Sequence, residues 1–347
     1  MESNTSFWTN RRVLVTGGAS FIGSHLVERL IGQGAYIRVV DDLSSGKLEN
    51  LSAVINQIDF TKGDLRIRAV ADAACRNQEI VFHLAASHGG RGYIDTHPVE
   101  CVTNMILDGT VMAAAHAAGI ERICFTSSAC IYPTHLQAES GQERTVYLRE
   151  EWGEPFSKAG ASPDGEYGWA KLSGEITLGS YCKQHGMKGV SCRLFTAYGE
   201  RENETHAVIA LIAKAFIKMD PYEIWGNGEQ DRNFTYVGDI AEGMIHACEK
   251  ITDGSSINVG TGEHISINAT AEAIFEITGF RPRKINHDLT KPVGVFSRAA
   301  DLTRARTVLG WEPRTSFREG LARTIDWYYR NNDATVKEHL KAALMER

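Results

Sequence analysis

Several things that would place a chain at once are missing from this one. No apolar run approaches the eighteen or so residues that a membrane-spanning helix needs, and Met1-Glu-Ser-Asn-Thr-Ser6 has no signal-peptide pattern. The expectation is a cytoplasmic chain with no membrane partner. There is no C-x-x-C pair. The seven cysteines, Cys75, Cys101, Cys124, Cys130, Cys182, Cys192 and Cys248, are odd in number and scattered, so no zinc spacing is present and most are expected reduced and buried. Basic charge is not in excess either: 37 Lys and Arg against 43 Asp and Glu give a formal net charge of −6. That argues against nucleic acid as the main partner, since phosphate binding needs a basic surface. Internal repeats, low-complexity tracts and Pro/Gly/Ser linkers are also absent.

What remains is an ordinary soluble composition, 43% apolar and 23% charged, over 347 residues. That length fits an α/β unit with a smaller lobe. Short apolar runs at Arg12–Thr16, Tyr36–Asp41, Ile58–Asp64, Ile80–His83 and Arg122–Thr126 alternate with helix-length segments, Ile22–Gln33 and Pro98–Ala118 among them. Such alternation predicts a parallel, doubly wound Rossmann-type sheet. Tyr167–His185 reads as a further helix, Gly189–Leu194 as a strand, His206–Met219 as a helix and Ser256–Val259 as a strand that returns to the sheet. The expected division is a Rossmann domain over 1–190 plus about 234–262, and a discontinuous substrate lobe over 191–233 and 263–347.

The segment Val13-Leu-Val-Thr-Gly-Gly-Ala-Ser-Phe-Ile-Gly-Ser-His-Leu26 is a strand, a Gly-rich turn and a helix start. Gly17 suits the tight turn and Gly23 close helix–strand packing, with Ser20, Phe21 and Ile22 between them at a helix N-terminus able to hold a pyrophosphate. The second strand ends in Asp41-Asp42-Leu-Ser-Ser-Gly46, so a carboxylate follows about twenty residues on, where the adenosine ribose of NAD belongs. Ser20 stands where the pattern has its middle glycine. Its hydroxymethyl either crowds the phosphates or donates to them.

Tyr167-Gly-Trp-Ala-Lys171 sets a phenol and an ammonium one helical turn apart. A lysine there is expected to lower the phenol's pKa so that it can take a hydroxyl proton. In Ser127-Ser-Ala-Cys-Ile-Tyr-Pro133, Cys130 is open between core filler, redox thiol and proton-transfer group.

Taken in order, TGGASFIGSHL, DDLSSG, GDL at 63–65, HLAA at 83–86, NMILDGT at 104–110, SSACIYP, YGWAK, RLFTAYG at 193–199 and GNGEQDRNFTYVGDI resemble the extended short-chain dehydrogenase/reductases, the nucleotide-sugar epimerases and dehydratases. The resemblance runs along nearly the whole chain. It implies NAD as the cofactor, bound by the turn residues above and by Asp41, Asp42, Ser44, Ser45, Gly46, Asp64, Leu65, Leu84, Ala85, Ala86 and Asn104, with Ser128, Tyr167 and Lys171 as the redox triad. It implies a nucleotide sugar as substrate, its diphosphate held by Arg232 and Arg298, and transient oxidation at C4. It also implies a homodimer through the helices near 98–118 and 167–185.

Dehydratases of this family carry an Asp-Glu pair after the triad serine, where this chain has Ala129 and Cys130, so 4,6-dehydration is not expected. SSACIYP, the glycine-rich loop Ser87-His-Gly-Gly-Arg-Gly-Tyr93 and Trp225 to Arg232 resemble the GDP-mannose 3,5-epimerases more specifically. There a cysteine and a lysine exchange protons at C3 and C5, and His206 falls at the lysine's position. A histidine of pKa near 6.5 and a thiol near 8.5 can form such a pair. Ser87, His88, Gly89, Gly90, Glu204, Trp225 and Gln230 are expected near the sugar nucleotide, with Glu204 also a candidate counter-charge for His206. Thr196 stands where the family has asparagine. The rival readings are a 4-epimerase in which Cys130 only shapes the pocket, and a non-catalytic NAD-binding scaffold.

Overall fold

The computed structural model describes residues 6–137, 146–158, 160–291, 294–295, 297–333 and 337–338. Seven strands form one parallel sheet: β1 (Arg12–Thr16), β2 (Tyr36–Asp41), β3 (Ile58–Lys62), β4 (Ile80–His83), β5 (Arg122–Ser128), β6 (Lys188–Leu194) and β7 (Ser256–Val259). Their spatial order is β7-β6-β5-β4-β1-β2-β3. Strands run outward from β1 in both directions, so the topological switch point lies between β1 and β4, the crevice in which such folds bind ligands.

Each central strand reads as an apolar run because both its faces are covered. On one face α1 (Phe21–Gly32) buries Leu26, Val27 and Leu30, and a later helix at 237–250 packs beside it with Ile240, Met244 and Ile245. On the other face lie α2 (Arg68–Cys75), α3 (Asn104–Ala117) and α4 (Gly165–His185) over Val81, Ile123 and Phe125. Helix α3 begins after a break. The single helix expected over 98–118 is two, Pro98–Val102 and Asn104–Ala117, and α2 had not been expected.

The lobe has its own core around Tyr198, Tyr222, Phe275, Phe317 and Tyr328. It is built by α5 (Ala207–Phe216), α7 (Ile267–Thr278) and α8 (Phe317–Asn331), the helix at Val237–Lys250 being α6. Strand Tyr222–Trp225 pairs there with Ile285–Asp288. The division differs from the expected one in two places. Strand β6 carries the sheet through Leu194, and Ala305, Leu309 and Trp311 return to the core under β1 and β7, so part of 263–347 belongs to the Rossmann half. No helix among the described residues is long and apolar enough to cross a membrane.

Candidate active site

Gly17 sits at φ +68°, a left-handed conformation that favours glycine, and a Cβ there would meet the Ala85 amide nitrogen at 2.8 Å. A Cβ at Gly23 would meet the Gly17 carbonyl oxygen at 2.2 Å. The turn after β1 is thus pressed against both α1 and the end of β4, with the first-turn N–H groups of α1 open to an anion. Ser20 resolves one expectation: its hydroxyl donates to the Gly17 carbonyl at 2.5 Å, turned into the turn. Asp41 is buried at the end of β2 and accepts the Ala19 and Leu43 amides, both at 2.9 Å. Burial raises its pKa, and those two amide donors oppose the rise. Each carboxylate oxygen keeps a second lone pair for a ribose hydroxyl. These features fit NAD.

Other expected cofactor residues are occupied otherwise. Asp42 accepts the Ser44 amide and hydroxyl at 2.8 and 2.6 Å, closing a small turn at the exposed rim beside Ser45. Gly46 has no room for a Cβ against the Asp41 carboxylate. Asp64 pairs with Arg66, whose hydrogen bonds hold the carboxyl below its ordinary pKa, and Leu65 is core. Asn104 is buried, with its oxygen accepting the Ser87 amide at 2.7 Å and its nitrogen donating to the Ser87 carbonyl at 2.9 Å. Its side chain holds the loop that follows Leu84, Ala85 and Ala86.

A hydrogen-bond chain runs from this cradle to Asp108, whose charge acts on Lys171 of the redox triad. Thr16 Oγ1 accepts the Leu84 and Ala85 amides at 3.1 and 3.2 Å, so its proton goes to His83 Nδ1, 2.8 Å away. His83 then carries its own proton on Nε2 and donates to Asp108 Oδ1 at 3.1 Å. Asp108 Oδ2 is buried with no hydrogen-bond partner and lies against Gly174, one turn along α4 from Lys171. Burial lowers the Lys171 pKa, and the charge of Asp108 opposes that fall. The Lys171 ammonium stands 5.8 Å from the Tyr167 ring centre. The Tyr167 phenol is not depressed, against the expectation from the neighbouring lysine. Burial pushes its pKa well up, with Cys130 and Asp108 adding, and only the Ser128 hydrogen bond pulls it down.

Cys130 is placed by backbone. Its amide donates to Ser128 Oγ at 3.2 Å, its carbonyl accepts the Asp164 amide at 2.8 Å, and a Cβ at Gly168 would strike that carbonyl at 2.4 Å. Its thiol meets cations: Arg298 Nη1 donates to Sγ at 3.5 Å, while Arg298 also reaches Gln137 Oε1 at 2.7 Å and Asp164 at 3.4 Å. Arg91 binds the same Asp164 at 2.9 Å. Burial, and then Arg298, lower the Arg232 pKa to about 10, and Cys130 is near enough to oppose this.

His88 bridges to the other candidate. Its ring centre lies 6.1 Å from that of Tyr167 and 5.2 Å from that of His206. The surrounding protein and the Lys171 charge lower the His88 pKa. Gly90 lets the loop touch the lobe, since a Cβ there would meet the Thr205 carbonyl at 2.2 Å, and Gly89 packs on Tyr93. The neighbour of His206 is Glu202, with Oε1 at 3.3 Å from Nδ1, whereas Glu204 accepts the Tyr328 hydroxyl at 3.0 Å. The counter-charge expected of Glu204 therefore stands two residues earlier. Trp225 donates to Glu223, and Gln230 donates to the Trp225 carbonyl at 2.8 Å, a cluster of their own. Thr196 accepts the Thr235 amide through its carbonyl.

Sequence reasoning missed Glu202, Asp164, Arg91, Gln137 and the Thr16–His83–Asp108 chain. Asp164 left a trace: it is the residue before α4, an ordinary helix-capping position, yet its side chain makes no cap bond and turns to two arginines.

Residues 13–260 match the NAD dependent epimerase/dehydratase family. GDP-mannose 3,5-epimerase 1 of Oryza sativa subsp. indica is 32% identical over 329 residues, 92% of this chain and 83% of that protein. UDP-glucose 4-epimerase of Mycolicibacterium smegmatis is 30% identical over 329 residues, 91% and 98%. Among solved structures, UDP-glucose 4-epimerase of Thermotoga maritima with UDP-glucose superposes with TM-score 0.80 at 29% identity, covering 92% of this chain and 99% of that one. The Thermus thermophilus UDP-glucose 4-epimerase complex with NAD gives 0.78 at 28% identity, covering 93% and 100%. The chain belongs to the NAD-dependent epimerase/dehydratase family, an enzyme of short-chain dehydrogenase/reductase type whose cofactor is NAD.

Proposed function

We propose that the chain is a nucleotide-sugar epimerase that works through a transient 4-keto sugar and inverts C3, C5 or both with Cys130 and His206 as proton carriers, on a GDP-sugar. Tyr167, hydrogen-bonded to Ser128 and beside Lys171, takes the C4 hydroxyl proton. When bound, NAD would supply the hydride acceptor for C4 and the hydride donor that restores the alcohol, with no net redox change. Once C4 is a ketone the hydrogens at C3 and C5 become acidic, and a group on one side of the ring can remove a proton while a group on the other delivers one. Arg232 and Arg298 hold the diphosphate with their forked donors.

The observation that carries the reading is the Cys130 thiol. It stands close enough to Tyr167 to act on its charge and contacts Arg298, at a place where the chain has no carboxylate for dehydration. Similar identity to UDP-glucose 4-epimerases supports a second reading, a 4-epimerase in which Cys130 only shapes the pocket. Mass spectrometry of GDP-, UDP-, dTDP- and CDP-sugars turned over in deuterated water separates them. Label at C3 or C5, first with GDP-mannose, is expected; inversion at C4 without label there leaves the 4-epimerase. The homodimer belongs to this proposal, and the exposed Val99, Ile106 and Trp169 on the helices near 98–118 and 167–185 support it.

A further inference from the structure

We infer that Glu202 and His206 form one proton-holding unit, a carboxyl–imidazole dyad in which Glu202 is the positioning residue and His206 Nε2 exchanges the proton with the sugar carbon. The inference rests on the role proposed above for His206, and it adds a residue that neither the motifs nor the comparisons point to.

The geometry comes from the segment that leads into α5. Glu202 lies four residues before His206, which ends the extended approach to that helix, and its Oε1 is 3.3 Å from His206 Nδ1. Glu202 is 5% exposed, and the Gly199 amide donates to its carboxyl. The second oxygen, Oε2, is buried and has no hydrogen-bond partner among the described residues. A carboxyl taken out of water with one oxygen unsatisfied is costly unless a neighbouring group shares its charge or proton. The imidazole is that neighbour.

The groups on the packed elements leave Glu202 this task. Glu204 is taken by Tyr328 of α8, Glu200 by Tyr236 at 2.9 Å, and Arg201 by Glu28 of α1 at 2.6 Å. Thr205 Oγ1 lies at the edge of contact with the same Nδ1, at 3.5 Å. From the loop after β4 comes His88, whose ring is 5.2 Å away, with Tyr167 and Lys171 behind it. Among the described residues, Glu202 is an acid set directly on the ring, at Nδ1.

Proton balance gives the dyad a direction. With one proton shared between Glu202 and Nδ1 and a second on Nε2, the pair is neutral overall. Giving the Nε2 proton to the sugar carbon forms a C–H bond from the enolate pair and leaves Nδ1–H donating to a Glu202 carboxylate. The reverse step breaks that C–H bond, returns the electron pair to the enolate and refills Nε2. Burial holds the Glu202 carboxyl well above its ordinary pKa, which favours the neutral, proton-loaded form at rest. The His206 side is then the donor when Cys130 accepts a proton, and the acceptor in the reverse reaction.

The test is a titration of histidine ring nitrogens by NMR on the full chain with NAD and no sugar, His206 being assigned by the signal lost in His206→Gln. In the wild type at neutral pH, the Nδ1 signal is expected to show a strong hydrogen bond. In Glu202→Gln the pKa for loss of the His206 Nε2 proton should fall by about one unit or more, since in the wild type that proton leaves a neutral pair and strands a buried carboxylate beside the ring; Glu202→Asp should restore part of it. A His206 pKa equal in wild type and Glu202→Gln overturns the dyad, as does an Nδ1 with no hydrogen bond in the wild type, a reading that needs no variant. The titration reports on the pair whether or not sugar is turned over. A failure here is thus distinct from a failure of the Cys130–His206 mechanism, which the deuterium experiment reads.

Discussion

The two neighbourhoods of Tyr167 are built from different groups, arginines sharing one carboxylate on one side and a buried carboxyl with imidazoles on the other. Around Cys130 gather Arg298, Arg91 and Arg232, with Asp164 shared between the first two. Around His206 there is a buried acid, Glu202, and a second histidine, His88. A site for simple oxidation of one hydroxyl needs no such asymmetry. One that must take a proton at one carbon face and give one at another gains from it, because each carrier is held by a counter-charge suited to its own task.

The most damaging change removes the group common to both neighbourhoods. Tyr167→Phe should lower turnover about 100- to 10,000-fold and leave NAD affinity nearly unchanged, as steady-state rates and calorimetry would show. Breaking the cationic side alone is next: Cys130→Ala should abolish solvent deuterium at C3 or C5 while hydride transfer at C4, followed by cofactor absorbance, persists. Label retained in that variant would remove Cys130 from the mechanism. Arg298→Ala should raise KM for the sugar nucleotide about 10- to 100-fold, since a charged hydrogen bond is worth about 1.5–3 kcal/mol. Gly90→Ala sharpens the comparison from the acidic side. Its Cβ meets the Thr205 carbonyl, so the variant should lose about 1–3 kcal/mol of stability, read by denaturant melts, and shift the His206 signal while sparing that of His83. The smallest expected effect on the site is that of Ile106→Arg, which tests the proposed homodimer: light scattering should give a dimer for the wild type and a monomer for the variant, with little change in NAD binding.

How much of this was legible in the sequence follows from what each part is made of. The sheet and cradle obey local rules: apolar runs of strand length, a glycine that must turn at Gly17, another that must let a helix approach at Gly23, and a carboxylate ending β2. Tyr167 and Lys171 share one helix, so their spacing fixes their proximity. The lobe side was legible only through resemblance, because its contacts cross long stretches of chain. Arg298 reaches Cys130 over 168 residues, and Arg91 reaches Asp164 over 73. No periodicity encodes such meetings. Glu204 for Glu202 is an instructive error: both are acids near His206 in sequence, and only the course of the backbone before α5 decides which turns inward. The break at Thr103 was missed for a similar reason, since apolar spacing on either side continues one pattern across two helices.

The hydroxyl of Thr16 spends its lone pairs on two amides, which leaves its proton one destination. The order of protons that starts there is therefore a polarity: it runs from the end of β1 through His83 to Asp108 and cannot be reversed without a different atom at its head. Valine at position 16 would keep the shape and remove the donor to Nδ1, leaving Asp108 alone to hold the His83 proton on Nε2. The strand that leads into the glycine turn thus also sets which way charge faces beneath Lys171: its hydrogen bonds run as far as Asp108, and from there charge alone acts on the ammonium.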